Sequence, residues 1–260
     1  MSSKKIHAER DPWGLKTDAQ YEPFIDVFET NSVGERHRVR SRLTGRTHHY
    51  LSRGEVAYHY VAELAPRVLD IREQYPIIPV KETLKIAKAL KVRHPYRGSE
   101  PFEVTIDLML SVDDQNGGVL YVARSVKPSA ELEKPDVQAR LALECAACRS
   151  RGIPWKLVTE SLANSEVRSR GRWLFKVFKD FPDYTCDEKV AAAFIDALST
   201  RQLTEPLRAV IVGAGKACGL PYEEAVNLFK FLVCTRRVRV DLSASLALKD
   251  PHPALAENFW

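Results

Sequence analysis

The chain has 260 residues, 45% hydrophobic and 28% charged, with a net charge of +5. That is enough apolar material for one large domain or two modest ones, and it excludes a disordered or low-complexity protein. The mild basicity, with a sequence pI near 8.9, admits an acidic partner such as nucleic acid without demanding one.

The five cysteines are an odd count without disulfide-like spacing. Cys145 and Cys148 form a single C-x-x-C in a helical run, and no second pair follows to complete a zinc site. Buried thiols in a reducing, cytoplasmic compartment are expected. No apolar run approaches the roughly 18 residues that a membrane span needs. The N-terminal "MSSKKIHAERDPWGLK" lacks the apolar centre of a secretion signal.

Residues 1–35 are polar and irregular and read as a docking or disordered arm. "RHRVRSRLTGRTHHYLS" alternates from Arg36 to Arg42, turns at Thr44-Gly45 and resumes from Arg46 to Tyr50, the pattern of a small basic hairpin. Arg38, Arg40 and Arg42 share one strand face, with Arg46 and His48 nearby. They suit phosphate contacts that position DNA without reading its sequence. A solvated basic face is the plain alternative, and for His48 a packed imidazole.

Ser52 opens a helix to about Leu64, and Pro66 closes the segment. "VLDIREQYPI" reads as a strand. Residues 79–101 form a basic, proline-punctuated connection with room for a short helix. "VTIDLMLSV" and "VLYVARSV" face each other across "DDQNGG". A helix over about 134–151 ends at Gly152, and "IPWKLVTES" supplies a last strand. Helix, strand, strand, strand, helix, strand is the order of a mixed α/β core with a hairpin at its centre.

From about residue 170 the texture is helical. Thr185 with Glu188 reads as a capping box before "VAAAFIDAL". A second helix covers about 204–218 and stops at Gly219; Pro221 starts a third, and "RRVRVDL" reads as a strand. Three helices and a short β element fit a winged-helix module. "VIVGAGKACG" imitates a dinucleotide-binding turn, but its third glycine is one position late and too little chain follows for a βαβ domain. The expected organisation is an arm over 1–35, a catalytic domain over 36–168 and a winged helix over 169–260.

The chemistry concentrates in the central hairpin. Val104, Ile106, Leu108, Leu110 and Val112 share one parity with Leu120, Val122 and Val126; Thr105, Asp107, Ser111, Ser125 and Lys127 share the other. A turn centred on Asn116 sets Asp107 opposite Ser125, with Lys127 diagonal on the same face, away from the apolar core. Phosphodiester hydrolysis wants such a set. A carboxylate holds a divalent cation, the cation activates water, and the lysine steadies the water or the phosphorane. Hard oxygen ligands favour Mg²⁺, with Mn²⁺ as a substitute, and the Val126 carbonyl joins them where the strand splays. The plain alternative is an exposed Asp–Lys pair worth under ~1 kcal/mol. Glu55, three residues after Ser52, is either a capping-box partner or a second carboxylate from a helix packed beside the hairpin.

"TGRTHHYLSRGE" (44–55), "VLDIREQYP" (68–76), "TIDLML" (105–110), "SVKPSAEL" (125–132) and "GIPWKLVTES" (152–161) occur in an order and spacing that resembles the TnsA family, the endonuclease subunits of heteromeric Tns-type transposases. The resemblance implies a restriction-endonuclease-like core, a mixed sheet flanked by helices, followed by an α-rich winged-helix domain. It implies catalytic roles for Glu55, Asp107 and Lys127, with Glu55, Asp107, Ser125 and the Val126 carbonyl at the metal. It places an acidic residue of the following helix at Glu144. Relatives carry glutamine or an acid where this chain has Ser125, a shorter group that would ligate through a water. The implied reaction is hydrolysis at the 5′ ends of a transposon in double-stranded DNA. A TnsB-like transposase would cut and join the 3′ ends, and a TnsC-like AAA+ ATPase would be contacted by the C-terminal domain. Whether the element is CRISPR-associated stays open, since target choice by a DNA-binding protein or by an RNA-guided complex fits equally. Two other readings stay open as well: a stand-alone restriction or repair nuclease, and a catalytically weak or silent adaptor between transposase and ATPase.

Overall fold

The computed structural model describes residues 9–25, 35–200 and 205–243. The alternating basic stretch pairs as an antiparallel hairpin, β1 (His37–Arg40) with β2 (Thr47–Tyr50). Helix α1 (Arg53–Leu64) follows; Ser52 Oγ accepts the Glu55 N–H at 3.1 Å and satisfies one of the donors a helix start leaves over. Next come β3 (Val68–Pro76), α2 (Val80–Leu90), a two-rung hairpin of β4 (Tyr96–Arg97) and β5 (Glu100–Pro101), β6 (Thr105–Asp113), β7 (Val119–Val126), α3 (Pro135–Ser150) and β8 (Trp155–Val158).

Four strands make one mixed sheet in the order β3-β6-β7-β8. The first three are antiparallel, and β8 runs parallel to β7. Leu108 pairs with Arg124 and Leu110 with Val122, the register that a turn centred on Asn116 dictates. Asp114 Oδ1 fixes that turn by accepting the N–H groups of Asn116 and Gly118 at 2.8 and 2.7 Å.

One expectation of the hairpin is corrected. Its odd-numbered face does not look away from the core, because Met109 and Ala123 lie in an apolar cluster with Leu143, Ala147 and Cys148 of α3. On the other face Arg124 Nε donates to the Tyr58 hydroxyl of α1 at 3.1 Å. β6 is a central strand sandwiched between helices, and such strands are buried on both sides.

Of the two readings of the arm, residues 9–25 take the docking one. Asp11 is buried, and its carboxylate accepts from the Arg72 guanidinium, from the Tyr75 hydroxyl at 2.7 Å, and from the N–H groups of Trp13 and Leu15. Trp13 packs edge-on against Tyr75 and Tyr121, and the Tyr21 hydroxyl donates to the Glu73 carbonyl at 2.9 Å. Polar composition hid a strap whose few aromatic residues and one buried carboxylate fasten it to the sheet. Residues 1–8 and 26–34 of the expected arm lie outside the described residues.

A second compact unit begins at Glu166. It holds α4 (Ser165–Asp180), α5 (Glu188–Ser199), α6 (Leu207–Ala217) and α7 (Tyr222–Cys234). α4 is absent from the sequence reading: Arg168, Arg170 and Arg172 mask a buried stripe of Val167, Gly171, Leu174 and Val177. The cap of α5 is Asp187 rather than Thr185, since its carboxylate accepts from Lys189 and Val190 N–H. "VIVGAGKACG" lies largely in α6. Gly215 there permits close helix packing, as a Cβ would stand 2.6 Å from Ala225 Cβ of α7. The expected strand "RRVRVDL" is a helix stop: Arg236 adopts φ 63°, and Arg237 and Val238 N–H both return to the Leu232 carbonyl. The β element of a winged helix is therefore not found among the described residues of 235–243. No helix among the described residues is long and apolar enough to cross a membrane. All five cysteines are free thiols.

Candidate active site

The candidate site arises where the central ladder opens. Past the Leu108–Arg124 pair, β7 turns its hydrogen bonds towards β8, and Lys127 N–H donates to the Val158 carbonyl at 3.0 Å. The Val126 N–H is left without a partner on β6, and the Asp107 carboxylate takes it, Oδ2 accepting at 2.7 Å. The same oxygen accepts from Lys127 Nζ at 3.0 Å, and that ammonium also donates to the Val126 carbonyl at 2.9 Å. A positive charge thus already sits between the two oxygens expected at a metal.

Glu55 reaches this point because Gly54 is the second residue of α1. A Cβ at that position would lie 3.1 Å from Val126 Cγ1, so glycine lets the helix close onto the end of β7. Glu55 Oε2 accepts from Leu51 N–H and from Gln74 Nε2, both at 3.1 Å. The capping and catalytic readings of Glu55 are compatible, since one buried carboxylate ties down the helix start and faces Asp107.

Gln74 is a site residue that the sequence reading misses. Its φ of 47° is left-handed, uncommon for a non-glycine residue in a strand. The kink resets the alternation of β3. Arg72 and Tyr75 both reach Asp11 on one face, while Glu73 and Gln74 both turn to the side of α1. No residue-type pattern signals such a kink.

Ser125 has a different place from the one expected. Its hydroxyl is fully buried; Oγ donates to Glu144 Oε2 at 2.5 Å and accepts from Trp155 Nε1 at 2.9 Å. Glu144 also receives Arg140 Nε at 3.0 Å. The hydroxyl is engaged by two protein groups inside the fold, and it positions Glu144. Replacing Ser125 by alanine should leave two buried polar groups short of a partner. A loss of about 1–3 kcal/mol of unfolding free energy is expected in urea titrations, with an unchanged slope.

Glu55, Gln74, Asp107, Val126, Lys127 and Arg140 all line one cavity of about 600 Å³. Burial and the charge of Asp107 push the Glu55 carboxyl up to about 7, against the lowering pull of Leu51 N–H, Ser52 and Lys127. The same two causes raise Glu144, opposed by Arg140, Ser125 and Lys127. Burial lowers Lys127, but the charge and hydrogen bond of Asp107 outweigh it and hold the ammonium above its ordinary range. Three carboxylates face two cations, so the site is short of positive charge. Among the described residues no three His, Cys, Asp or Glu side chains form a ready-made metal cage. The donor set is two carboxylates and a carbonyl, all hard oxygens, which fits Mg²⁺ or Mn²⁺ and no soft metal.

Residues 65–160 match the family of TnsA-like endonuclease N-terminal domains. The matched segment is similar to the TnsA-like endonucleases. It contains Asp107, Val126, Lys127 and Glu144, while Glu55 lies just before it. The transposon Tn7 transposition protein TnsA of Escherichia coli is 35% identical over 157 residues, which cover 60% of this chain and 56% of that protein. The chain therefore matches just over half the length of this relative.

The basic hairpin divides. Arg38, Arg40 and Arg42 are exposed. Arg46 and His48, expected at DNA, are drawn inward by Glu73. Arg46 makes a bidentate pair with it at 2.8 and 2.6 Å, and His48 Nδ1 lies 2.9 Å from Glu73 Oε2. His48 Nε2 meets Thr44 Oγ1 at 2.8 Å, and burial pushes the imidazole down to about 4 against the raising effect of Glu73. It is a packed neutral imidazole, the alternative reading of that residue.

Proposed function

We propose that the chain is the metal-dependent endonuclease subunit of a cut-and-paste transposase, hydrolysing the 5′ ends of its transposon in double-stranded DNA. The carrying observation is the Asp107–Lys127 pair beside buried Glu55 in a single cavity of a TnsA-like domain. Ser125, the ground for reading a silent adaptor, has a structural duty at Glu144, which supports the enzyme reading over that alternative.

Glu55, Asp107 and the Val126 carbonyl would hold the Mg²⁺, which when bound supplies Lewis-acid charge to the phosphate and the attacking water. Lys127 is fixed at Asp107 and donates to a phosphate oxygen as negative charge grows on it. Gln74 and Leu51 N–H hold Glu55 in place, and Ser125 with Arg140 holds Glu144 behind the reacting groups. Asp107 links β6 to β7 at the mouth by accepting the Val126 N–H.

A TnsB-like transposase would act on the 3′ ends, and the helical second unit would meet a TnsC-like AAA+ ATPase. Mn²⁺ titration followed by electron paramagnetic resonance tests the metal assignment. Asp107→Ala and Glu55→Ala should each weaken Mn²⁺ affinity at least about 10-fold. Unchanged affinity in both variants would remove the metal from this site.

A further inference from the structure

Helix α2 carries a lysine stripe that the active site does not use. Lys81, Lys85 and Lys88 follow the i, i+4, i+7 spacing of one helix face, and all three are exposed. The opposite face is anchored: Thr83 and Ala87 are buried, and Ala87 joins the apolar cluster beneath α3. The stripe therefore cannot roll inward. Lys91 and Arg93 extend the same charge past the helix end. Thr83 Oγ1 holds His94 Nε2 at 2.9 Å and ties this extension back to the helix. The one acid of α2, Glu82, is engaged by Arg151 at 2.8 Å. Among the described residues no carboxylate pairs with Lys81, Lys85 or Lys88.

We propose that this stripe is a second DNA-binding track, gripping the phosphate backbone of the duplex that the active site cuts. The inference rests on the DNA-cutting reading above. The observation behind it is three uncompensated lysines on one rigid helix face. At 1.5 Å rise per residue the three lysines span about 10 Å. Duplex DNA carries a charge every ~1.7 Å, so roughly six phosphates fall along that length. Lysine is a point charge on a flexible stem and suits contacts that hold a backbone without reading bases. The inward turn of Arg46 and His48 takes two expected phosphate contacts from the β1–β2 hairpin, and α2 supplies others.

The test uses the full chain and a generic double-stranded DNA fragment without divalent cation, from 50 to 200 mM salt. Removing three phosphate contacts in K81Q/K85Q/K88Q should flatten the slope of log affinity against log salt by about 2.7, roughly a 40-fold smaller loss of affinity over that range. K81R/K85R/K88R should keep the wild-type slope. Both variants should melt as wild type does, because the three side chains are exposed. A wild-type slope in the glutamine variant overturns the proposal. So does a wild-type chain that binds no duplex at 50 mM salt, or a glutamine variant that binds DNA normally but loses a purified ATPase partner. The stripe proposal and the catalytic reading fail separately: DNA cutting by Asp107→Ala would sink the reading of the active site and leave the salt slopes untouched.

Discussion

Asp107→Ala and Lys127→Ala are each expected to slow 5′-strand cutting by at least about 10³-fold, some 4 kcal/mol of barrier, by different routes. Asp107 Oδ2 is the junction of the site. It takes the Val126 N–H, it holds Lys127, and after burial its charge is the next cause that raises both Glu55 and Glu144. Under the proposed function its loss would remove a metal oxygen and the anchor of the lysine together. Lys127→Ala does the opposite to the cation. The ammonium lies 3.0 Å from Asp107 Oδ2 and 2.9 Å from the Val126 carbonyl, where it competes for the oxygens a metal needs. Its removal should leave Mn²⁺ binding as tight as in wild type or tighter, while cutting fails for want of a donor to the phosphate. A Lys127→Ala chain that loses both metal and activity would contradict this separation of roles.

Glu73→Ala is expected to destabilise the first unit by about 3–5 kcal/mol, because it strands a buried guanidinium. Glu73 is fully buried and holds Arg46 bidentately, His48 Nδ1 at 2.9 Å and His49 N–H at 3.0 Å. It is the peg that fixes the β1–β2 hairpin to the sheet. The network also sets a pH profile. Burial raises the Glu73 carboxyl, but His48 and Arg46 outweigh it and hold it well below the ordinary range. Glu63 is likewise raised by burial and brought down to about 2 by His59 and by the N–H groups of Arg42 and Leu43. These depressed carboxyls give stability that is complete above their unfolded pKa, about 4.5, and is lost as pH falls through the folded values. His48, pushed down to about 4, loses its contribution as pH falls from the ordinary 6.5 to about 4, a window in which the raised Glu55 opposes it. Glu55 and Glu144 are raised and act in reverse, gaining stability as pH falls from about 7 for Glu55 towards its ordinary value. Denaturant midpoints should therefore change little between about pH 7 and 5 and fall steeply below about 4.5. Glu73→Ala should lower the plateau and flatten the acid limb.

Strand parity carried the site a long way. The even sum of paired residue numbers put Asp107 across from Ser125, and the ladder from Leu108–Arg124 to Val112–Leu120 keeps that sum. Parity could not say what covers each face. It left Ser125 on a face away from the core, when the residue is buried and bonded to Glu144 of α3 and Trp155 of β8. Arg46 and His48 look exposed by composition, yet one buried acid 25 to 27 residues later in the chain turns them inward. Asp11 is hidden likewise, since its partners Arg72 and Tyr75 lie more than 60 residues away. Gln74 owes its place to a left-handed kink that no local residue preference announces. What the sequence leaves out is long-range pairing of buried charge and single-residue backbone geometry.

Strand-resolved mapping of transposon ends, in a reaction with the purified TnsB-like and TnsC-like partners and Mg²⁺, tests the central claim most directly. With Asp107→Ala or Lys127→Ala the 5′-strand cuts should vanish while 3′ joining persists, so that products accumulate as co-integrates in place of excised elements. Full excision with 5′-strand cuts by both variants would show that Glu55, Asp107 and Lys127 are not the catalytic set.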